Sequence, residues 1–285
     1  MRNYLELLDG ILHHGDMNPN RTKTDAISVF GTRLAFDLRE AYPLMTTKKV
    51  FFRGVIEELL WILRGETNIK SLVDKGVHIW DKWADKDGNL GPVYGAQWRD
   101  FNGVDQLEVL VRGMRNNPRS RRHIVSGWNP EFLPDESMSP QENVADGKMA
   151  LAPCHLLLQT YITTDRADER FLHMQVYQRS CDAVLGAPFN IASYAALAHI
   201  LAHVVGVEPG VLVMVFGDTH IYENHLDGIK EQLTHEPRPL PTLRFEPKEP
   251  FDGDICEFVK HLTFDDFILD GYDPYPSIDM GGVAV

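Results

Sequence analysis

The run Leu151-Ala152-Pro153-Cys154-His155 places a cysteine at the predicted start of a β-strand, where the backbone is fixed and the sulfur is presented. A cysteine is nucleophilic as the thiolate, and a nearby cation increases the thiolate fraction. Most lone cysteines are buried structural residues, and Cys181 and Cys256 are interpreted in that way. Cys154 is therefore a candidate nucleophile, with a structural thiol as the alternative.

Five arginines form a basic cluster within eleven residues of an otherwise acidic chain: Arg112, Arg115, Arg119, Arg121 and Arg122. The guanidinium group presents a planar fork of donors that matches phosphate or carboxylate oxygens. The cluster therefore indicates an anion site. The alternative is the solvated end of a helix and the turn that follows it.

A third segment, Gln178-Arg179-Ser180-Cys181-Asp182, continues into Leu185-Gly186-Ala187-Pro188-Phe189-Asn190. It places a cation, a hydroxyl, a carboxylate and a carboxamide between a predicted strand and a predicted helix. Two structural alternatives stay open. Asn190 could be the N-cap of the helix, and Arg179 and Asp182 could form an ion pair.

A fourth segment, Gly217-Asp218-Thr219-His220-Ile221-Tyr222, follows an apolar run. Functional polar groups often collect at the ends of strands, although His220 could also satisfy a buried hydrogen bond. The sequence contains no GxGxxG after a strand, no GxxxxGK[ST], no HExxH and no paired CxxC. These absences disfavour a glycine-rich nucleotide loop and zinc catalysis.

Composition limits the partners and the compartment. The chain has 285 residues, 44% of them hydrophobic and 24% charged, and a formal net charge of −13. Such a charge opposes broad binding to DNA, RNA or anionic membranes, so neither DNA nor a membrane is expected as a partner. Three features predict a cytoplasmic protein. The cysteines are few and scattered, the start has no signal-peptide pattern, and the most apolar stretch is interrupted by His199 and His203.

The elements that must position these residues follow from periodicity. Helical spacing predicts helices over 4–12, 51–63, 105–114 and 190–205. Short β-rich runs predict strands over 123–128, 155–162, 171–177 and 211–216, and a strand pair, 27–29 with 34–38, about Gly31-Thr32. Strands and helices without strict alternation favour an α+β fold. Residues 129–147 are predicted to be a surface loop inserted between two strands of one sheet, within a single domain over 1–285.

Taken together, these segments resemble the thymidylate synthase family nearly end to end. Each segment is short, but their joint occurrence in this order is highly specific. The matching residues are Asn20-Arg21-Thr22, Thr46-Thr47-Lys48, Glu58-Leu59-Leu60-Trp61, Ile79-Trp80-Asp81-Lys82-Trp83, Gly91-Pro92-Val93-Tyr94-Gly95, Ser120-Arg121-Arg122, Ala150-Leu151-Ala152-Pro153-Cys154-His155, Gln178-Arg179-Ser180-Cys181-Asp182, Pro188-Phe189-Asn190-Ile191, Gly217-Asp218-Thr219-His220-Ile221-Tyr222 and Val283-Ala284-Val285.

The resemblance implies a fold and a reaction. The fold is a single α+β domain with a mixed β-sheet packed by helices, one face of the sheet forming a homodimer interface. The reaction is reductive methylation of dUMP by 5,10-methylenetetrahydrofolate, which yields dTMP and dihydrofolate without a metal.

The resemblance also assigns roles in nucleotide binding. Cys154 adds to carbon 6 of the uracil, and Arg179 favours the thiolate and contacts the phosphate. The remaining phosphate ligands are Arg21 and Ser180, joined by Arg121 and Arg122 from the other subunit. Asn190 reads the base, because a carboxamide can donate to oxygen 4 and accept from the ring N–H. The rest of the nucleotide site comprises His220 and Tyr222 at the ribose, His155 near the base, Gln178 and Asp182.

Further roles concern catalysis and the folate. Glu58 acts as general acid or base through water, and Tyr94 orients the thiolate. Lys48 is a candidate for the polyglutamate tail, and Ala284 and Val285 close the site at the C-terminus. The folate wall comprises Phe51, Trp80, Trp83, Leu151, Asp182, Gly186 and Phe189. Val184, Ala187 and the glycines before the tail depart from the family pattern, which suggests a looser folate pocket and a more costly closure.

Three other functions compete with this interpretation. A dUMP or dCMP hydroxymethylase on the same scaffold would capture the methylene with water, although Trp80 argues against it. A cysteine hydrolase would pair Cys154 with His220 and need no folate. A non-catalytic nucleotide- or RNA-binding module is disfavoured because Cys154, Glu58, Tyr94 and Asn190 occur together.

Overall fold

A six-stranded mixed β-sheet forms the centre of the protein. The computed structural model describes residues 1–18 and 24–282. The strands are β1 (Asp16–Asn18), β2 (Ala26–Asp37), β3 (Ile124–Ser126), β4 (His155–Thr164), β5 (Arg170–Asp182) and β6 (Glu208–Tyr222). Their order across the sheet is β1-β2-β6-β5-β4-β3, with β5 and β6 parallel and the other neighbours antiparallel.

Helices and a small hairpin surround this sheet. The helices are α1 (Arg2–His14), α2 (Phe52–Leu63), α3 (Lys70–Val73), α4 (Tyr94–Arg99), α5 (Gln106–Asn116), α6 (Pro140–Ala145), α7 (Gly186–Val205), α8 (Leu226–Leu233) and α9 (Ile255–His261). The hairpin pairs β7 (Thr242–Phe245) with β8 (Phe267–Asp270). The predicted α+β fold with a mixed sheet packed by helices is confirmed.

The sheet has one fully buried face. Along β5 and β6, Met174, Val176, Leu212, Met214 and Phe216 are at most 1% exposed, whereas the residues between them are only partly buried or are exposed. This alternation follows from the two-residue period of a strand. The buried residues share one hydrophobic core with α2 and α7.

Helix α7 is the central core helix. By length and composition it could cross a membrane, but 67% of its most apolar window is buried inside the protein. It ends at Gly206, whose φ of 74° is a left-handed conformation that glycine adopts without a steric penalty.

Two elements, β2 and α7, differ from the prediction. The segments 27–29 and 34–38 do not form a strand pair, because β2 is one strand that stays in register with β6 on both sides of Gly31. The glycine has a φ of 83° yet does not turn the chain. Helix α7 begins four residues earlier than predicted, with Leu185 at its N-cap, so Asn190 lies inside the helix. The N-cap alternative for Asn190 is therefore wrong.

The inserted segment 129–147 contains more regular structure than a surface loop. It comprises a 3₁₀ turn, Pro130–Phe132, and the short helix α6. The strands that flank it, β3 and β4, pair antiparallel in the same sheet, as predicted.

Candidate active site

Cys154 immediately precedes β4 and lies against Arg179 of β5. The backbone N–H of Arg179 donates to the Cys154 carbonyl at 2.8 Å. Its guanidinium donates through Nε to the Pro153 carbonyl and through Nη2 to the Ala152 carbonyl, each at 2.9 Å. A cation is thus fixed beside the loop that carries the thiol.

The side chain of Arg179 is held from a second direction. Its guanidinium carbon lies 5.4 Å from the centre of the Trp128 ring, within the range of a cation–π contact. Sequence reasoning missed Trp128, because nothing in its own segment marks it. The Arg179–Asp182 ion pair considered from the sequence does not form, since the guanidinium faces the carbonyls before Cys154 instead.

Tyr94, at the start of α4, contacts the backbone of the cysteine. Its hydroxyl accepts a hydrogen bond from the Cys154 backbone N–H at 2.9 Å. Burial, reinforced by the neighbouring Cys154, raises the pKa of Tyr94 well above its usual value. The phenol therefore stays protonated and retains a proton to donate.

His155 completes this cluster and is neutral. Its ring stacks on Tyr94 at 4.3 Å, and its Nδ1 lies 2.7 Å from the Tyr194 hydroxyl. Burial lowers the pKa of His155 to about 3 and raises that of Tyr194. His155 can therefore orient hydroxyl groups or water near the thiol without carrying a charge. Tyr194 is a second residue that the sequence analysis missed.

Glu58 of α2 is the titratable carboxylate of the site. Trp80 Nε1 donates to Glu58 Oε1 at 2.8 Å. Burial raises the pKa of Glu58 to about 7, and the Trp80 hydrogen bond opposes that rise. A carboxyl group with a pKa near neutrality can both accept and release a proton, as general acid–base catalysis requires.

Asn190 faces the same cluster by helical geometry. It lies four residues before Tyr194 on α7, and residues four apart share one face of a helix. Gly186 lies four residues before Asn190 and therefore on the same face of the helix. A Cβ atom added to Gly186 would be 3.5 Å from the Cβ of Asp182, so the two residues are neighbours. The Asn190 carboxamide makes no side-chain hydrogen bond within the described residues, so its donors and acceptor remain for a ligand.

Strand register brings the third and fourth sequence segments together. Ser180 pairs with Asp218, and Asp182 pairs with His220. His220 Nδ1 lies 2.5 Å from Asp218 Oδ1, and its ring meets that of Tyr222 edge-on at 4.9 Å. Alternate residues of neighbouring strands thus present a hydroxyl, a carboxylate, an imidazole and a phenol at one end of the sheet.

Two polar side chains of this region, Asp182 and Gln178, form hydrogen bonds with nearby backbone groups. Asp182 Oδ1 accepts from the backbone N–H groups of Val184 and Leu185, at 2.8 and 3.1 Å. Gln178 is buried and donates to the Ser180 carbonyl, whereas its Oε1 has no partner among the residues the structure describes. An unsatisfied buried carbonyl oxygen is costly, so Gln178 still has an acceptor to offer.

The predicted folate residues divide into two groups. Trp80 is 8% exposed and Trp83 is partly buried, and the centres of their rings lie 5.7 Å apart beside Glu58. Leu151 and Phe189 are also partly buried. Phe51, in contrast, is 46% exposed. Val184 and Ala187 are fully buried in the core, so their small size is accommodated by packing.

Lys48 is more deeply buried than contact with a polyglutamate tail would require. It is 6% exposed, and its Nζ donates to the Val184 carbonyl at 2.7 Å. Burial lowers the pKa of Lys48 to about 8. Contact with a polyglutamate tail would require this side chain to leave its position.

The predicted phosphate ligands are only partly within the described structure. Arg21 lies outside the described residues. Arg121 and Arg122 are exposed, just before β3, and form no ion pair with any residue in 1–18 or 24–282. Neither side chain forms a hydrogen bond or ion pair with a described residue of the Cys154 site.

The C-terminal segment is anchored as far as it is described. Asn224 Nδ2 donates to the carbonyls of Gly281 and Gly282, at 3.2 and 3.1 Å, and His225 Nε2 lies 3.0 Å from the Gly282 carbonyl. Both glycines have φ near +80°, which fits glycine. These contacts hold the two glycines in place, and the cost that the glycines add to closure stays a prediction. Ala284 and Val285 lie outside the described residues.

A cavity of about 650 Å³ lies at the opposite end of the sheet, lined partly by Leu38, Tyr42, Phe171 and Phe245. It contains none of the site residues above. Among the described residues, no group of three or more His, Cys, Asp or Glu side chains could hold a metal ion.

The family model described as thymidylate synthase matches residues 2–285.

Proposed function

Because the chain belongs to the thymidylate synthase family, we propose that it converts dUMP and 5,10-methylenetetrahydrofolate into dTMP and dihydrofolate. The observation that carries this proposal is the arrangement around Cys154. The Arg179 guanidinium binds carbonyls of its loop, and Tyr94, which stays protonated, accepts from its backbone N–H. The neutral His155 stacks on Tyr94, and Trp80, whose ring contacts Tyr94, donates to the titratable Glu58.

Cys154 performs the first step. Its thiolate adds to carbon 6 of the uracil, and the electron pair of the C5–C6 bond then makes carbon 5 nucleophilic. Arg179 holds the loop and favours the thiolate. The Asn190 carboxamide donates to oxygen 4 and accepts from the N3–H of uracil, so developing charge on oxygen 4 is stabilised.

Glu58 and Tyr94 move the protons. With a pKa near 7, Glu58 is about half ionised at neutral pH, so through water it can protonate a leaving nitrogen and then assist removal of the carbon 5 proton. After a hydride from the bound folate has reduced the carbon now attached to carbon 5, the C6–S bond would break, which releases the Cys154 thiolate and restores the C5–C6 double bond.

The residues present fit a folate. The rings of Trp80 and Trp83 provide an apolar wall beside Glu58, and the free Oδ2 of Asp182 can accept from pterin N–H groups. When bound, the folate supplies both the one-carbon unit and the hydride that reduces it. The buried Trp80 excludes water from the carbon that receives the hydride, and this exclusion favours methylation over hydroxymethylation.

The same proposal includes a homodimer formed through the less buried face of the sheet. On this face, residues that are paired across neighbouring strands form rows. One row contains Arg33, Val215, Tyr177 and Leu157, and the next contains Ala35, Val213, Gln175 and Gln159. Exposed Ile124 and Tyr161, 41% and 49% accessible, extend this face. Pairing of two such faces would bury this apolar surface and bring the unpaired Arg121 and Arg122 to the partner's phosphate site. A reactive thiol also favours a reducing compartment, in keeping with a cytoplasmic location.

The decisive experiment is one incubation of the purified protein with dUMP and 5,10-methylenetetrahydrofolate. Dihydrofolate is followed by ultraviolet absorbance and the nucleotide by mass spectrometry. We expect equal amounts of dihydrofolate and dTMP. A hydroxymethylated nucleotide with release of tetrahydrofolate would assign the related hydroxymethylase reaction instead. Absence of both products would refute the proposal.

A further inference from the structure

We propose that the inserted segment 129–147 is a brace for the loop that carries Trp80 and Trp83, and that Gln141 is the positioning residue at its point of contact. The inference rests on the proposed function, since it concerns the folate wall. It assigns a positioning role to a segment that contributes no residue to the proposed reaction.

The brace is internally rigid. Helix α6 begins with a complete capping box, in which Ser139 and Glu142 satisfy each other's backbone N–H groups. Asn143, 2% exposed, accepts from the Asp135 N–H at 2.7 Å and donates to the Asp135 and Ser139 carbonyls at 3.0 and 3.1 Å. A buried amide that closes the segment on itself fixes the position of the helix.

The brace is also fixed to the body of the protein at its base. Phe132 and Val144 pack against the hydrophobic core. The Met149 N–H donates to the Phe132 carbonyl, and the Ala150 N–H donates to the Leu90 carbonyl, both at 2.9 Å. The chain therefore leaves the brace in a fixed position and reaches Leu151 and Cys154 directly.

Gln141 connects this rigid segment to the tryptophan loop. Its Nε2 donates to the carbonyls of Lys82 and Ala84, at 3.2 and 3.1 Å. These two carbonyls flank Trp83, and the N–H groups of Trp83 and Ala84 both donate to the Trp80 carbonyl. One side-chain amide thus holds both sides of the turn that presents the two rings.

The connection continues to the acid–base group. Trp80 Nε1 donates to Glu58 Oε1 at 2.8 Å, and the ring of Trp80 also contacts those of Trp61 and Tyr94. A displacement of the turn would move this N–H relative to the carboxylate. Gln141 forms no hydrogen bond with Glu58, and we infer that it acts through the turn that carries Trp80 and Trp83.

Three variants test the inference in the full-length protein. Gln141→Glu keeps the size of the side chain but presents acceptors to two carbonyls. Gln141→Lys keeps N–H donors on a long side chain. Glu136→Gln is the control, an exposed change in the same segment outside these contacts. We expect Gln141→Glu to raise the KM for the folate about three- to tenfold, the equivalent of one lost hydrogen bond. The affinity for dUMP should stay unchanged, and Gln141→Lys should restore most of the folate KM.

A second readout does not depend on activity. Hydrogen exchange of the Trp83 and Ala84 amides in the ligand-free protein should accelerate in Gln141→Glu and remain at the wild-type rate in Glu136→Gln. Unchanged exchange and an unchanged folate KM in Gln141→Glu would overturn the inference. So would an equal loss of dUMP and folate affinity, which indicates general destabilisation. If the wild-type protein forms no dTMP, the proposed function fails, and the exchange rates alone decide whether Gln141 braces the loop.

Discussion

The hydrogen bond between Trp80 and Glu58 yields the sharpest prediction about the reaction. Trp80→Phe removes the indole N–H but keeps an aromatic ring against Trp61, Trp83 and Tyr94. An N–H donor stabilises the ionised carboxylate, so its loss favours the protonated form. The pKa of Glu58, already raised to about 7 by burial, should therefore rise further.

The size of the shift follows from the contact. A hydrogen bond to an ionised group contributes about 1.5–3 kcal/mol, and water recovers part of that at the half-buried Glu58. A net loss of about 1.4 kcal/mol corresponds to about one pKa unit. At pH 7 the ionised fraction would then fall from about one half to about one tenth, so a step that needs the carboxylate would slow about fivefold.

The assay is the pH dependence of kcat/KM for the folate between pH 5.5 and 9, in wild type and in Trp80→Phe. We expect the limb that depends on Glu58 to move to higher pH by about one unit. Glu58→Gln serves as the reference, because it should abolish that limb altogether. An identical midpoint in wild type and Trp80→Phe, or a midpoint displaced to lower pH, would refute the assignment of this hydrogen bond.

Four further predictions follow from the same site and the sheet. Cys154→Ala should abolish turnover while dUMP binding, measured by calorimetry, survives; near-normal turnover would exclude Cys154 as the nucleophile. Asn190→Asp should shift the kcat/KM ratio from dUMP toward dCMP, because an ionised aspartate cannot donate to oxygen 4, and an unchanged ratio would contradict its role. Val213→Asp should give a monomer in sedimentation with little activity, since it places a charge in the centre of the proposed interface, and a stable active dimer would rule that face out. Because the folded-state pKa of Glu58 lies above its ordinary value of 4.5, its ionisation destabilises the fold progressively as pH rises from 4.5 through about 7. Glu58→Gln should therefore add up to about 3 kcal/mol to the free energy of unfolding at pH 8 and little at pH 4, measured by urea denaturation, and equal effects at both pH values would contradict the raised pKa.

Regular elements with strong periodicity were predictable from the sequence. Helix α2 begins one residue from its predicted start, and β4, β5 and β6 contain the predicted strands. In these elements the apolar residues recur at helical or strand spacing, and local pattern suffices where packing agrees with it. The short elements β1, α3, α4, α8, α9, β7 and β8 were not predicted, because each is too short for its period to stand out in the sequence.

The prediction was wrong where a residue's local tendency and its tertiary role differ. Gly31 suggested a turn, but pairing with β6 on both sides keeps β2 continuous. Asn190 suggested a helix N-cap, but burial of Ala187 and Pro188 extends α7 toward its N-terminus. Prolines and acidic residues in 129–147 indicated a loop, although the capping box at Ser139 is visible in the sequence and starts α6.

The sequence by itself determined which chemical groups are available and in what order: a cysteine after a proline, an arginine and carboxamide segment, a glutamate in an amphipathic helix, and the family to which such an order belongs. Only the tertiary structure decided which of them meet. Arg179 reaches the carbonyls before Cys154 because β4 and β5 are neighbours, and Asn190 shares a helix face with Tyr194, which contacts His155. The pKa of Glu58 depends on burial among segments far apart in the chain, and that burial exists only once the core has assembled.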